Sequence, residues 1–325
     1  MPSYIPGGIK VNYDELIVNH KGSEFSLAED YIKVFKSASL LKGIAVYTKN
    51  TFDYDVSLQA IKDIGFDVLQ IGVVTGVNSE TKVASKIFTD EFVQNIITLA
   101  KNKGFKYIML KIHTNSRLAV ESFESYGAIV NSYAQMCENN GIDSFFVTNE
   151  QPQLTNANYE LWSNLIASAR SSYSGEIGTS LYLKEDETHC FFDLVDIIGW
   201  NIYPCMTYKG LDEPTEVCSQ AWFDDIQVGK NFIVDMKKLK IATGKKIMIT
   251  EVGCQPYLGR LAYPGVNNLS TGLSEETQKK FYDATLPLVG NLDFLDGVFL
   301  WEGIESYTPI GRLAETAVIN WLGGV

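Results

Sequence analysis

The sequence has little that could hold a metal, a nucleotide or a nucleic acid. Its three histidines, His20, His113 and His189, are scattered, and its five cysteines form no C-x-x-C pair. Neither residue type recurs at ligand spacing, so no metal centre is expected. Cys137, Cys190, Cys205, Cys218 and Cys254 read mostly as buried free thiols of a reducing compartment, with a single bond among Cys190, Cys205 and Cys218 left open. Basic residues are outnumbered, 27 against 39 acids, for a net charge of −12. Nucleic acid and anionic membranes both repel such a chain. No apolar run reaches the roughly 18 residues of a membrane span. The first twenty residues carry Asp14 and Glu15 and have no signal-peptide pattern. There is no Gly-x-Ser-x-Gly elbow, no Ser-His-Asp order, no internal repeat and no low-complexity stretch.

What is present is a regular alternation. From about residue 41, short apolar runs at 43–48, 68–74, 107–113, 144–150, 176–182, 197–204, 246–253 and 296–303 read as strands. Helical patterns separate them. In 90–103, Phe92, Val93, Ile96, Ile97 and Ala100 share one face; Thr89 is placed to cap and Gly104 to stop the helix. Segment 274–290 repeats the pattern, with Ser274, Glu275 and Glu276 at its start and Gly290 at its end. Eight nearly continuous apolar strands joined by about eight helices predict an α/β fold, a (β/α)₈ TIM barrel over 41–325. Residues 1–40 read as an N-terminal extension with one helix near 27–37. A doubly wound open sheet is the alternative, but the turn after the first strand, Thr48-Lys49-Asn50-Thr51, has no glycine to cradle a phosphate.

A barrel of this kind works at the C-terminal ends of its strands. Those ends are Tyr47, Val74, His113, Glu150, Tyr182, Tyr203, Glu251 and Trp301, most of them ionisable or aromatic. Buried strands seldom stop at a charge without a partner or a task. Glu150 closes the fourth strand, Ser144-Phe145-Phe146-Val147-Thr148-Asn149-Glu150, and Glu251 closes the run of Lys246-Ile247-Met248-Ile249-Thr250 on the seventh. Two carboxyls about 5 Å apart, one protonated and one ionised, are what a retaining glycosidase needs.

In order and spacing these segments resemble the large clan of retaining (β/α)₈ glycoside hydrolases, and within it the endo-β-mannanases of glycoside hydrolase family 113. The resemblance spans about residues 41–320 and rests on Met109 to His113, Trp162 to Gly175, Val195 to Pro204, Gly244 to Gly253 and Gly297 to Glu302. It departs from the family at Ile112, between Lys111 and His113, where proline is frequent, and at Cys254, which stands in an aromatic's place. The resemblance implies Glu150 as acid/base and Glu251 as nucleophile. It implies Tyr203 as a donor to the nucleophile, Trp301 as the floor under the attacked sugar and Asn149 as the contact to that sugar's 2-hydroxyl. Lys111 and His113 would line the glycone side, with Tyr47 and Asn201 also in contact with substrate. Trp222, in the long loop after the sixth strand, reads equally as a sugar platform or as core. Trp162 and Trp321 read as core.

The function expected is endo-hydrolysis of a β-linked polysaccharide or oligosaccharide, mannan by resemblance, without cofactor, nucleic acid or membrane. A same-fold hydrolase of a bacterial cell-surface polysaccharide, carried by a phage tail or lysis protein, is a second expectation. A barrel that binds sugar without cleaving it is a third. The junction-like opening Pro2-Ser3-Tyr4-Ile5-Pro6-Gly7-Gly8 fits a piece of a larger polypeptide or particle. The location expected is cytoplasmic, or release by lysis or within a phage particle.

Overall fold

The structure, a computed structural model, describes residues 39–151, 154, 158–183, 191–266 and 272–323. The helix expected near 27–37, His20, His189 and Cys190 fall outside these residues.

Among the described residues nine strands form one sheet: β1 (Leu41–Tyr47), β2 (Val68–Val77), β3 (Ala84–Lys86), β4 (Tyr107–Thr114), β5 (Ser144–Asn149), β6 (Glu176–Leu181), β7 (Ile197–Asn201), β8 (Lys246–Val252) and β9 (Gly297–Leu300). All but β3 are parallel, and β1 pairs with both β2 and β9, which closes an eight-stranded barrel. Each of the eight expected strands is there. The added β3, antiparallel to β2 through Thr75 and Lys86, was hidden in a short polar stretch.

The helices of the described residues are α1 (Tyr54–Asp63), α2 (Asp90–Asn102), α3 (Phe123–Asn140), α4 (Tyr159–Ser172), α5 (Thr215–Ser219), α6 (Phe232–Thr243), α7 (Glu275–Val289) and α8 (Glu315–Leu322). In α2 the Thr89 side chain accepts from Phe92 N at 3.2 Å, and Val93, Ile96, Ile97 and Ala100 are buried against the sheet. Burial of each large aliphatic contributes about 1.5–3 kcal/mol. Ser274 caps α7 as expected. Between β6 and β7 the described residues hold a 3₁₀ turn, Phe192–Leu194.

Two apolar regions result. The larger lies between strands and helices and takes in Trp162 and Trp321. The smaller fills the barrel with Val68, Met109, Phe146, Ile197, Met248 and Phe299. The rings of Phe146 and Phe299 fit only because glycines face them: a Cβ on Gly178 would stand 2.6 Å from Phe146, and one on Gly43 2.5 Å from Phe299. Cys137, Cys205, Cys218 and Cys254 are buried free thiols, which removes a Cys205–Cys218 bond from the alternatives.

Candidate active site

Strict strand alternation would send neighbouring residues to opposite faces. At the barrel's C-terminal rim it does not hold. Register shifts fall between Phe146 and Asn149, between Trp200 and Asn201 and between Ile249 and Val252. Such irregularities re-aim side chains. Consecutive residues Asn149 and Glu150 therefore both reach Asn201, and consecutive Thr250 and Glu251 both bond into the same cluster. Glu150 completes the turn with a left-handed backbone, φ 51°, rare and mildly strained for a residue with a side chain. Its N–H donates to Ser180 O at 3.1 Å, which holds the strained residue in place.

Glu251 is almost wholly buried, yet three donors surround it. Lys111 Nζ stands 2.6 Å from Oε1, His113 Nε2 2.9 Å from the same oxygen, and the Tyr203 hydroxyl donates to Oε2 at 2.9 Å. Burial alone would push this carboxyl up; the Lys111 charge and the contacts of His113 and Lys111 override it and hold the pKa at about 2. Glu150 goes the other way. Burial, then the negative charge of Glu251, lift it to about 7, against a hydrogen bond from Asn201 Nδ2 to Oε1 at 2.8 Å. Two carboxyls in one polar cluster thus have proton affinities pushed apart.

Asn201 ties the two together. Its Nδ2 also donates to Asn149 Oδ1 at 2.9 Å, while its Oδ1 accepts from Thr250 Oγ1 at 2.8 Å, itself 2.9 Å from Ser180 Oγ. His113 Nε2 lies 3.0 Å from Asn149 Nδ2 as well as beside Glu251. One ring nitrogen cannot donate to the carboxylate and accept from the amide at once, and the charged acceptor is the stronger partner. Above these groups the rings of His113 and Tyr47 both stack on Trp301, at centroid distances of 5.2 and 5.7 Å.

Residues 113–312 match the family model described as Glycoside Hydrolase Family 113. The chain belongs to glycoside hydrolase family 113. It is therefore a glycoside hydrolase. No curated protein matches it by sequence. Among solved structures, a GH113 β-1,4-mannanase complex superimposes with TM-score 0.71 at 16% identity, over 88% of this chain and all of that one. The GH113 β-mannanase of Alicyclobacillus acidocaldarius in complex with ManMIm gives 0.71 at 18% identity, over 90% of this chain and 98% of that one. A β-glucuronidase from Ruminococcus gnavus gives 0.60 at 16% identity, over 87% of this chain and 50% of that one. At these identities the likeness is one of fold.

Within this family 113 hydrolase, Glu150, Glu251, Asn149, His113, Lys111, Asn201 and Tyr203 share one hydrogen-bonded cluster, and Tyr47 and Trp301 stand beside it. Two assignments change in kind. Lys111 and Asn201 are fully buried; they reach the carboxylates from beneath and have no surface to offer a sugar. A third fails. Trp222 is fully buried and packs edge-on to Phe232, so it is core and no sugar platform.

The sequence reading passed over Glu302, which follows Trp301. Its carboxyl is buried, and burial followed by the charges of Glu305 and Glu251 pushes it up to about 9. At neutral pH it is an uncharged acid and adds no third negative charge beside Glu251. The missed signal was the one used for the two catalytic candidates: an apolar strand that runs into a glutamate.

Proposed function

We propose that this hydrolase is a retaining endo-β-mannanase that works by double displacement. The observation that carries the reading is the opposed tuning of Glu150 and Glu251 within one cluster. In the first step a Glu251 oxygen bonds to the anomeric carbon while Glu150 gives its proton to the departing glycosidic oxygen. In the second, Glu150 takes a proton from water, the hydroxide attacks the same carbon, and the Glu251 ester bond breaks. Tyr203, Lys111 and His113 donate hydrogen bonds or charge to the carboxylate that leaves and returns. With His113 turned to Glu251, the Asn149 amide has an N–H for the 2-hydroxyl of the attacked sugar. Trp301 would lie under that sugar's apolar face. The mannan backbone is the substrate the family resemblance and the mannanase neighbours favour.

The test is to incubate the enzyme with mannan, glucomannan, chitosan and cell-wall fractions and follow products by mass spectrometry and proton NMR. Expected are manno-oligosaccharides whose new reducing ends appear first as the β-anomer. First-formed α-anomer overturns the retaining step, and release from cell-wall fractions alone moves the substrate to a bacterial surface polymer.

The proton affinities set a pH profile. In the first step, which kcat/KM reports, Glu150 must be protonated, and its proton leaves as pH rises through about 7. Glu251 acts only when ionised, which holds above about 2. A plot of kcat/KM should be flat through the mildly acid range and fall tenfold per pH unit above about 7. A profile that still rises beyond pH 8 would remove Glu150 from the acid role.

A further inference from the structure

With Trp222 in the core, the loops after β7 and β8 present a pair of exposed aromatic rings among the described residues. Tyr208 is 58% exposed and Tyr263 39%, and the two rings lie together rather than singly. Their centroids are 6.0 Å apart, with ring planes tilted by 59°.

The pair is built onto the catalytic rim. Met206 N donates to Leu261 O at 2.7 Å, which joins the two loops between the tyrosines. Cys205 N, three residues before Tyr208, donates to the buried Asp225 carboxylate at 2.7 Å. Gly265, two residues after Tyr263, lies so close to Tyr203 that an added Cβ would stand 3.0 Å from the ring. The other end of that ring carries the hydroxyl bonded to Glu251. Tyr203 therefore spans from the nucleophile to the loop that carries Tyr263. The loop that carries Tyr263 thus meets Tyr203 at the end of the ring away from Glu251.

We infer that Tyr208 and Tyr263 form a sugar-binding platform for a part of the β-linked glycan chain remote from the scissile bond. Broad ring faces suit the apolar faces of neutral hexopyranose units, and two rings held by anchored loops lose little freedom on binding. The inference rests on the glycan-cleaving reading above and adds to it where the chain runs.

The test compares wild type with a Tyr208→Ala/Tyr263→Ala variant and a Tyr208→Phe/Tyr263→Phe variant. For each, the ratio of kcat/KM on β-mannan to kcat/KM on an aryl mannobioside is measured; the ratio cancels any loss of folded enzyme. The alanine variant should lower the ratio about tenfold, mainly through KM, and the phenylalanine variant should keep it. Calorimetry with mannohexaose in a Glu251→Gln background gives a readout free of turnover, with about tenfold weaker binding expected for the alanine pair. Unchanged ratio and unchanged binding overturn the platform. Binding that depends on the tyrosines in an enzyme that cleaves no mannan keeps the platform and overturns the substrate reading instead.

Discussion

Glu251→Ala should abolish hydrolysis, with kcat lower by on the order of 10⁵, because no other group can bond to the anomeric carbon. Added azide should restore turnover and yield the α-glycosyl azide, since the small anion enters where the carboxylate stood. Glu150→Ala should behave differently. With an activated leaving group the first step survives, and azide then attacks the ester from the opposite face to give the β-azide. The two stereochemical outcomes assign the two roles independently of any rate. A Glu251→Ala enzyme with near-normal turnover, or a β-azide from it, would end the assignment. This variant should also lose stability at pH 7, because the buried Lys111 is left without its counter-charge, so rates are compared per folded enzyme.

Lys111→Met should have the second largest effect, although Lys111 touches no substrate. In wild type the Glu251 pKa of about 2 lies below the ordinary carboxylate value, so the pairing adds stability above about pH 4 and loses it as pH falls towards 2. Removing the ammonium leaves a buried carboxylate without its counter-charge, a change that typically costs about 3–5 kcal/mol. The carboxyl then keeps its proton to higher pH. The variant should accordingly be closer to wild type in mild acid than at pH 7, where Tm should be lower by several degrees, and kcat at pH 7 should fall at least a hundredfold. Lys111→Met/Glu251→Gln should recover most of the lost Tm, because both charges leave together. Additive losses in that double variant would show that Lys111 stabilises something other than Glu251.

The barrel was legible because its strands are buried on both sides and so read as apolar runs with sharp ends. The acids at 150 and 251 were legible for the same reason: nothing apolar explains a charge there. The direction each side chain takes was harder. Alternation placed Lys111 and His113 on one face, as found, yet it could not place Asn149 beside Glu150 or Thr250 beside Glu251, because that depends on register shifts between strands far apart in sequence. Burial was harder still. Lys111 and Asn201 read as cleft residues through the family resemblance, whereas their depth is set by neighbours on β5, β7 and β8. Trp222 misled through its loop position, because the long loop after β7 folds back with α5 and α6 and joins the core between strands and helices. Tyr208 and Tyr263 carried no local signal, since each became visible only once two loops were seen to be joined.

The complete burial of Lys111 bears on how long the covalent ester would last. If Glu251 becomes an ester it stops being an anion, and the ammonium beneath it, already disfavoured by burial, loses its contact counter-charge and keeps only the newly ionised Glu150 nearby. The cation then favours whatever regenerates its partner, which is expulsion of the acyl oxygen by water. A charge hidden from solvent would thus act as a return spring that makes release of the sugar the easier half of the cycle.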